Sequence, residues 1–179
     1  LVDAGKTVLS FGGDHYVSLP LLRAHAAKHG PLALLHFDAH TDTDRNGTKF
    51  DHGAMFHHAV QEGLLQPERS VQVGIRTANQ HQRAQAERFG VEMIEMKDWQ
   101  EGALPPLSGP VYVSIDLDVL DPAFVPGVSH HEPGGMSTRQ LLDLIQRIPV
   151  PIVGADVVEC NPERDVVGMA AMVAAKLVK

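Results

Sequence analysis

Leu32-Ala33-Leu34-Leu35-His36-Phe37-Asp38-Ala39-His40-Thr41-Asp42 decides how this chain folds. Its first seven residues, Leu32–Asp38, form a nearly unbroken apolar run of strand length, the pattern of a strand covered on both faces. The chemistry then changes at once to carboxylate, imidazole and carboxylate. In open parallel sheets, ligands bind outside the carboxyl ends of the strands. Leu32–Asp38 therefore reads as a strand that ends in a functional loop.

The same pattern repeats on either side of it. Strands are predicted at Thr7–Phe11, Ser70–Ile75, Val91–Met96, Val111–Asp116 and Ile152–Val157. Helices are predicted at Tyr16–His29, Ala54–Gly63, Asn79–Phe89, Thr138–Arg147 and Val166–Val178. Leu141, Leu144, Ile145 and Ile148 recur at helical spacing, and Ser137 or Thr138 can cap their helix. Alternating strand and helix predicts an α/β fold with a parallel sheet and helices on both faces. Pro122 to Gly135 is a long Gly/Pro-rich loop and a candidate for function. Leu1–Lys6 reads as the tail of a helix stopped by Gly5. With no initiator Met, an N-terminal segment is expected to be missing.

With 179 residues the chain suits one domain with a sizeable core. Its net charge of −7, without a Lys/Arg cluster, argues against nucleic acid and suits a cationic substrate. A single cysteine, Cys160, rules out an internal disulfide and accords with a reducing compartment. No signal peptide or apolar run of spanning length is visible, so a cytoplasmic location is expected, with no membrane partner.

Three segments carry the chemistry: Gly12-Gly13-Asp14-His15, Asp38-Ala39-His40-Thr41-Asp42 and Asp116-Leu117-Asp118. Each follows an apolar run. Residues two apart point the same way on an extended chain, so Asp116 and Asp118 can aim at one point, as can Asp38, His40 and Asp42. Two imidazoles and four carboxylates are enough for two divalent cations that share carboxylates. Such a pair generates hydroxide at neutral pH. Without thiolates the set favours Mn²⁺ over structural Zn²⁺. Any one segment alone reads more readily as a turn or helix cap than as a metal site; three at equivalent strand ends change the balance, because so many carboxylates without cations would cost stability. Asp14 fits a capping role, Asp121 a brace of its loop, and Cys160 a small buried filler.

These residues match the arginase–agmatinase (ureohydrolase) family, whose likeness covers nearly the whole chain. The motifs are FGGDH at 11–15, HFDAHTDT at 36–43, SIDLDVLDPAFVPG at 114–127 and DVVECNP at 156–162. FDHGAMF at 50–56 and VGIRT at 73–77 resemble the bacterial agmatinase branch. The resemblance implies one three-layer α/β/α domain over residues 1–179, lacking the family's early N-terminal part. It implies hydrolysis of a guanidino compound to an amine and urea with two Mn²⁺, and a homo-oligomer, trimer or hexamer. Carried onto this chain, it gives His15, Asp38, Asp42 and Asp116 to one manganese. It gives Asp38, His40, Asp116 and Asp118 to the other, with Asp38 and Asp116 bridging.

The same motifs single out two catalytic candidates. Glu159 would pair with the planar guanidinium through two hydrogen bonds. His52 would carry a proton to the leaving amine. On position alone, Glu159 is a surface residue at a strand end and His52 one loop histidine among eleven. Agmatine, yielding putrescine for polyamine biosynthesis, is the expected substrate. Where many agmatinases carry Thr-Gly-Thr, this chain has Val128-Ser129-His130, which leaves guanidinobutyrate as the nearest rival and formiminoglutamate a remoter one. His130 and His131 stand evenly between substrate contact and solvated loop. Two readings from other classes complete the set: a single-zinc deacetylase of the same fold, and an inactive metal-binding relative.

Overall fold

The structure, a computed structural model, describes residues 1–44 and 50–179. Six strands form a sheet: β1 (Val8–Phe11), β2 (Ala33–Phe37), β3 (Val71–Ile75), β4 (Glu92–Glu95), β5 (Val111–Asp116) and β6 (Ile152–Val158). Their order is β1-β6-β5-β2-β3-β4, and every pair is parallel. Each strand lies within a residue of its predicted bounds, because runs such as Val111–Asp116 are buried along their whole length. From β2 the chain steps outward through β3 and β4, then returns to lay β5 on the other flank of β2. The reversal opens a crevice at the carboxyl ends of β2 and β5, where open α/β sheets bind ligands.

Among the described residues, the helices are α1 (Ser18–His29), α2 (Met55–Gln61), α3 (Gln80–Phe89), α4 (Thr138–Ile145) and α5 (Met169–Leu177). Leu19 and Leu22 of α1, with Met55, Phe56 and Ala59 of α2, pack over Leu34 and Tyr112 on one face of the sheet. Leu141 and Leu144 of α4, with Ala170, Val173 and Leu177 of α5, cover Leu35, Phe37, Val113 and Ile115 on the other. The result is the expected three-layer α/β/α arrangement. Helices α3 and α4 begin at capping boxes, Asn79 with Gln82 and Ser137 with Gln140. Helix α5 begins three residues later than predicted, behind Gly168 in the left-handed conformation. Residues 2–5 form a turn in which Gly5 N–H reaches Val2 O, in place of the expected helix tail.

Two glycines permit the close approaches that shape the crevice. A Cβ on Gly12 would sit 2.7 Å from Val17 and 2.8 Å from Val158, so only glycine lets the loop after β1 press against β6. Gly74, at φ 100° and beside an irregularity in the β3–β4 pairing, lets β3 pass the Asp38 carbonyl.

Candidate metal centre

The site is built from the carboxyl ends of four strands. After β1, the Asp14 carboxylate caps a 3-10 turn, His15–Val17, by accepting from Tyr16 N–H at 2.9 Å. That turn delivers His15, which is buried. Asp38 follows β2, and its Oδ1 accepts from His40 N–H at 2.6 Å. Asp116 ends β5 and caps a second 3-10 turn, Leu117–Val119, by accepting from Asp118 N–H at 2.8 Å. In place of the extended step expected at Asp116 and Asp118, the chain coils tightly, and the pair converges for that reason. Asp118 Oδ1 also accepts from Ala39 N–H at 3.1 Å, tying the two loops together.

All six predicted ligand residues come together. His15 Nδ1 lies 2.9 Å from Asp42 Oδ2 and 3.3 Å from both Asp38 Oδ2 and Asp116 Oδ2. On the far side of Asp38, His40 Nδ1 lies 2.9 Å from Asp118 Oδ2 and 3.4 Å from Asp38 Oδ1. Asp38 thus stands between two histidine-centred clusters. Asp42 adopts a left-handed backbone, φ 49°, and Glu159 likewise at φ 65°; both are uncommon for residues with a side chain and mark a constrained site.

Electrostatics show what this arrangement requires. Asp38, Asp42, Asp116 and Asp118 are all nearly inaccessible. Burial, then the charges of Asp118 and Asp38, drives the Asp116 carboxyl well above its ordinary range. Burial and Asp38 push Asp118 up to about 7. Burial opposes protonation of His15, but Asp116, Asp38 and Asp42 outweigh it and hold the imidazole well above its usual value. For His40, burial is likewise outweighed, by Asp118 and Asp38, which raise it to about 11. Asp38 goes well below the carboxylate range: His36, His15 and His40 overcome its burial. His15 Nδ1 is buried with no hydrogen-bond partner, facing three carboxylates. Such a donor set fits divalent cations of hard or borderline type, which would satisfy that nitrogen and neutralise the crowded oxygens.

His36 lies close enough to count as a further ligand, but its nitrogens are engaged. Gln72 Nε2 donates to His36 Nδ1 at 3.0 Å, so Nε2 carries the hydrogen it gives to Asp38 Oδ2 at 2.7 Å. His36 therefore orients Asp38. Phe56 packs on the rings of both His15 and His36 and closes the apolar side.

His52 and Glu159 line an open cavity of about 180 Å³ beside this cluster, with His40, Asp42, Asp116, Asp118 and His130 on its walls. Among the described residues no lysine or arginine lines it. Glu159 Oε1 accepts from His15 N–H at 2.7 Å, and burial raises its carboxyl. The His130 ring in the cavity wall lies 5.3 Å from that of His52 and 5.9 Å from that of His40. His131 turns away, with Nε2 2.7 Å from Pro126 O. Asp121 braces the loop as expected, accepting from Ala123, Gly134 and Gly135 N–H groups. Cys160 is half-buried against the core that α4 and α5 cover.

Sequence reasoning missed His36, Gln72, Ser114 and Asp156. Each is a polar residue inside an apolar strand, and that interruption is the signal that could have found them. Parallel register places them in one row across the sheet, Asp156 opposite Ser114, Ser114 opposite His36 and His36 opposite Gln72.

No helix among the described residues is long and apolar enough to cross a membrane. The Arginase family model matches residues 1–179. Over 187 residues the chain is 46% identical to an agmatinase of Proteus mirabilis, covering 99% of this chain and 59% of that protein. It is 48% identical over 183 residues to the mitochondrial arginase 1 of Arabidopsis thaliana, covering 96% of this chain and 53% of that one. A hypothetical agmatinase from Burkholderia thailandensis, solved by crystallography, superposes with a TM-score of 0.88 at 39% identity, over 98% of this chain and 57% of that one. The chain thus spans little more than half the length of the relatives it matches.

Proposed function

Because the chain belongs to the arginase family, we propose that it is a binuclear manganese hydrolase that splits agmatine into putrescine and urea. One arrangement carries this proposal: His15 Nδ1, buried without a hydrogen-bond partner, faces Asp38, Asp42 and Asp116, while His40 faces Asp118 and the other oxygen of Asp38. His15, Asp38, Asp42 and Asp116 would hold one Mn²⁺; Asp38, His40, Asp116 and Asp118 would hold the other. Bound there, the ions supply Lewis acidity and hydroxide at neutral pH, which the poorly electrophilic guanidinium carbon requires.

The chain's own residues do the rest. Glu159 reaches the cavity from the end of β6, and its carboxylate pairs with the guanidinium and holds it beside the metal ligands. His52, which lines the same cavity, delivers a proton to the departing amine nitrogen. The acidic walls attract a cationic substrate, and among the described residues no lysine or arginine lines the cavity to meet a distal carboxylate. That favours agmatine over guanidinobutyrate. L-Arginine is the second reading, favoured by the 48% identity to the Arabidopsis arginase. The family resemblance further supports a cytoplasmic homo-oligomer, measurable by light scattering.

The test is urea release from agmatine, arginine and guanidinobutyrate after loading with Mn²⁺, together with metal counted per chain. Agmatine is expected to be cleaved best, with two ions bound. A single bound zinc, or metal without urea release from any of the three, would defeat the proposal.

A further inference from the structure

We propose that Asp156 is a positioning residue that acts through Ser114 to make His15 present a bare Nδ1 to a cation. Asp156 sits in the middle of β6, wholly buried, and touches no predicted ligand. Its Oδ2 accepts from Ser18 Oγ at 2.8 Å and from the Tyr112 hydroxyl at 2.7 Å; its Oδ1 accepts from Ser114 Oγ at 2.6 Å. Three hydroxyls converge on two oxygens, a load a carboxylate takes without giving a proton. Burial and the Asp156 charge raise Tyr112, so its hydroxyl keeps the hydrogen it donates.

The direction of each hydrogen follows. Ser114 has one hydrogen and spends it on Asp156. Toward His15 Nε2, 2.8 Å away, its oxygen can therefore only accept. Nε2 then carries the ring proton, and in the neutral imidazole that cation binding would require, Nδ1 is left with its lone pair. Nδ1 is the buried atom without a hydrogen-bond partner, aimed at Asp38, Asp42 and Asp116. Histidines that bind metals commonly give their other N–H to a carboxylate, which fixes the tautomer. Here a serine hydroxyl is interposed, and cross-strand pairing of Ser114 with Asp156 sets its place. His40 belongs to the other cluster, so the relay serves one of the two cation positions.

The test is Mn²⁺ titration of the full chain, with electron paramagnetic resonance to separate spin-coupled pairs from isolated ions and Tm to check folding. Ser114→Ala and Asp156→Asn are expected to keep one tight ion and bind the second roughly 10–100-fold more weakly. The spin-coupled signal should give way to that of isolated Mn²⁺. Ser114→Thr, which restores the hydroxyl, should restore the pair. The double variant should be no weaker than either single, as for two members of one relay. Tyr112→Phe unties the same carboxylate without touching its His15 limb; it should lower Tm and leave both ions bound. Wild-type affinity for two ions in folded Ser114→Ala or Asp156→Asn would overturn the relay. So would equal weakening at both positions, or selective loss in Tyr112→Phe. Should Asp156→Asn fail to fold, the Ser114 and Tyr112 variants decide. The inference rests on the two-manganese proposal: a wild type that takes up no ion pair overturns both, whereas two ions in wild type and in Ser114→Ala alike overturn the relay alone.

Discussion

Arg76 grips the backbone carbonyl of Glu132 with two nitrogens, Nε at 3.0 Å and Nη2 at 2.6 Å. The same Nη2 lies 2.6 Å from the Asp118 carbonyl, and Nη1 donates to Gly74 O at 3.1 Å. One planar fork therefore joins the end of β3, the turn that carries Asp118 and the loop that carries His130. Lysine cannot reproduce the fork, and its substitution removes several of these contacts at once. Arg76→Lys is expected to lower stability by about 1–3 kcal/mol. It should also raise KM more than it lowers kcat, since His130 and Asp118 lose their shared anchor. Denaturant unfolding and steady-state kinetics measure the two effects; an unchanged midpoint would refute the clamp.

Chelation should destabilise the protein more at high pH than at low pH. Without cations, Asp118 is raised to about 7 and His40 to about 11, with Asp116 and His15 raised as well. A group whose folded pKa is raised binds more protons folded than unfolded, so its contribution falls as pH rises. For Asp118 the stabilisation is complete below the unfolded carboxylate range and lost as pH climbs through about 7. For His40 it is complete below the ordinary imidazole value and lost toward about 11. Asp38, which is lowered, loses its contribution only in acid and does not offset this trend. Thermal melts with and without EDTA at about pH 6 and pH 8.5 should show the larger drop in Tm at the higher pH. Equal drops would mean that protons do not substitute for metal in this cluster.

His52→Asn is expected to keep both ions and to slow turnover by roughly 100-fold, the scale of a lost proton carrier. His52 lines the cavity and makes none of the close contacts among the predicted ligands. Metal content and kcat therefore separate the roles, and loss of an ion would make it a ligand instead.

Glu159→Gln keeps an acceptor for His15 N–H and removes the charge that would pair with the guanidinium. It should lower kcat/KM by roughly 100-fold, as expected for losing a bidentate ionic partner. Tm should scarcely move, because the loop contact survives. An intact kcat/KM would remove Glu159 from substrate recognition.

The strands and the six candidate ligands were legible because both signals are local. An apolar run such as Val111–Ile115 announces a buried parallel strand, and the carboxylates at 116 and 118 follow directly. What makes those carboxylates converge was not legible: a 3-10 turn at Leu117–Val119 replaced the extended step. The polar row beneath the site was hidden for a deeper reason. Ser114 and Asp156 are 42 residues apart and meet only because β5 pairs with β6. Strand order is settled by packing over the whole sheet, and no short window of sequence contains it.

His130 was indistinguishable from His131 in the sequence, and the structure separates them. The loop that presents His130 is held at Ser129, whose Oγ accepts from Asn161 Nδ2 at 2.9 Å and whose carbonyl accepts from Arg164 at 2.9 Å. So anchored, the His130 ring stands edge-on to His52 and His40 in the cavity wall. It lines the same cavity as Glu159, within reach of a substrate whose guanidino end is held there. His130→Ala should raise KM for agmatine by about 2–10-fold, the cost of one hydrogen bond, with a smaller change in kcat. His131→Ala, which removes the contact with Pro126 O, should leave both constants near wild type. Parallel kinetics of the two variants with agmatine, arginine and guanidinobutyrate will show which substrate His130 favours. Identical effects of the two substitutions would place the recognition of the distal end elsewhere.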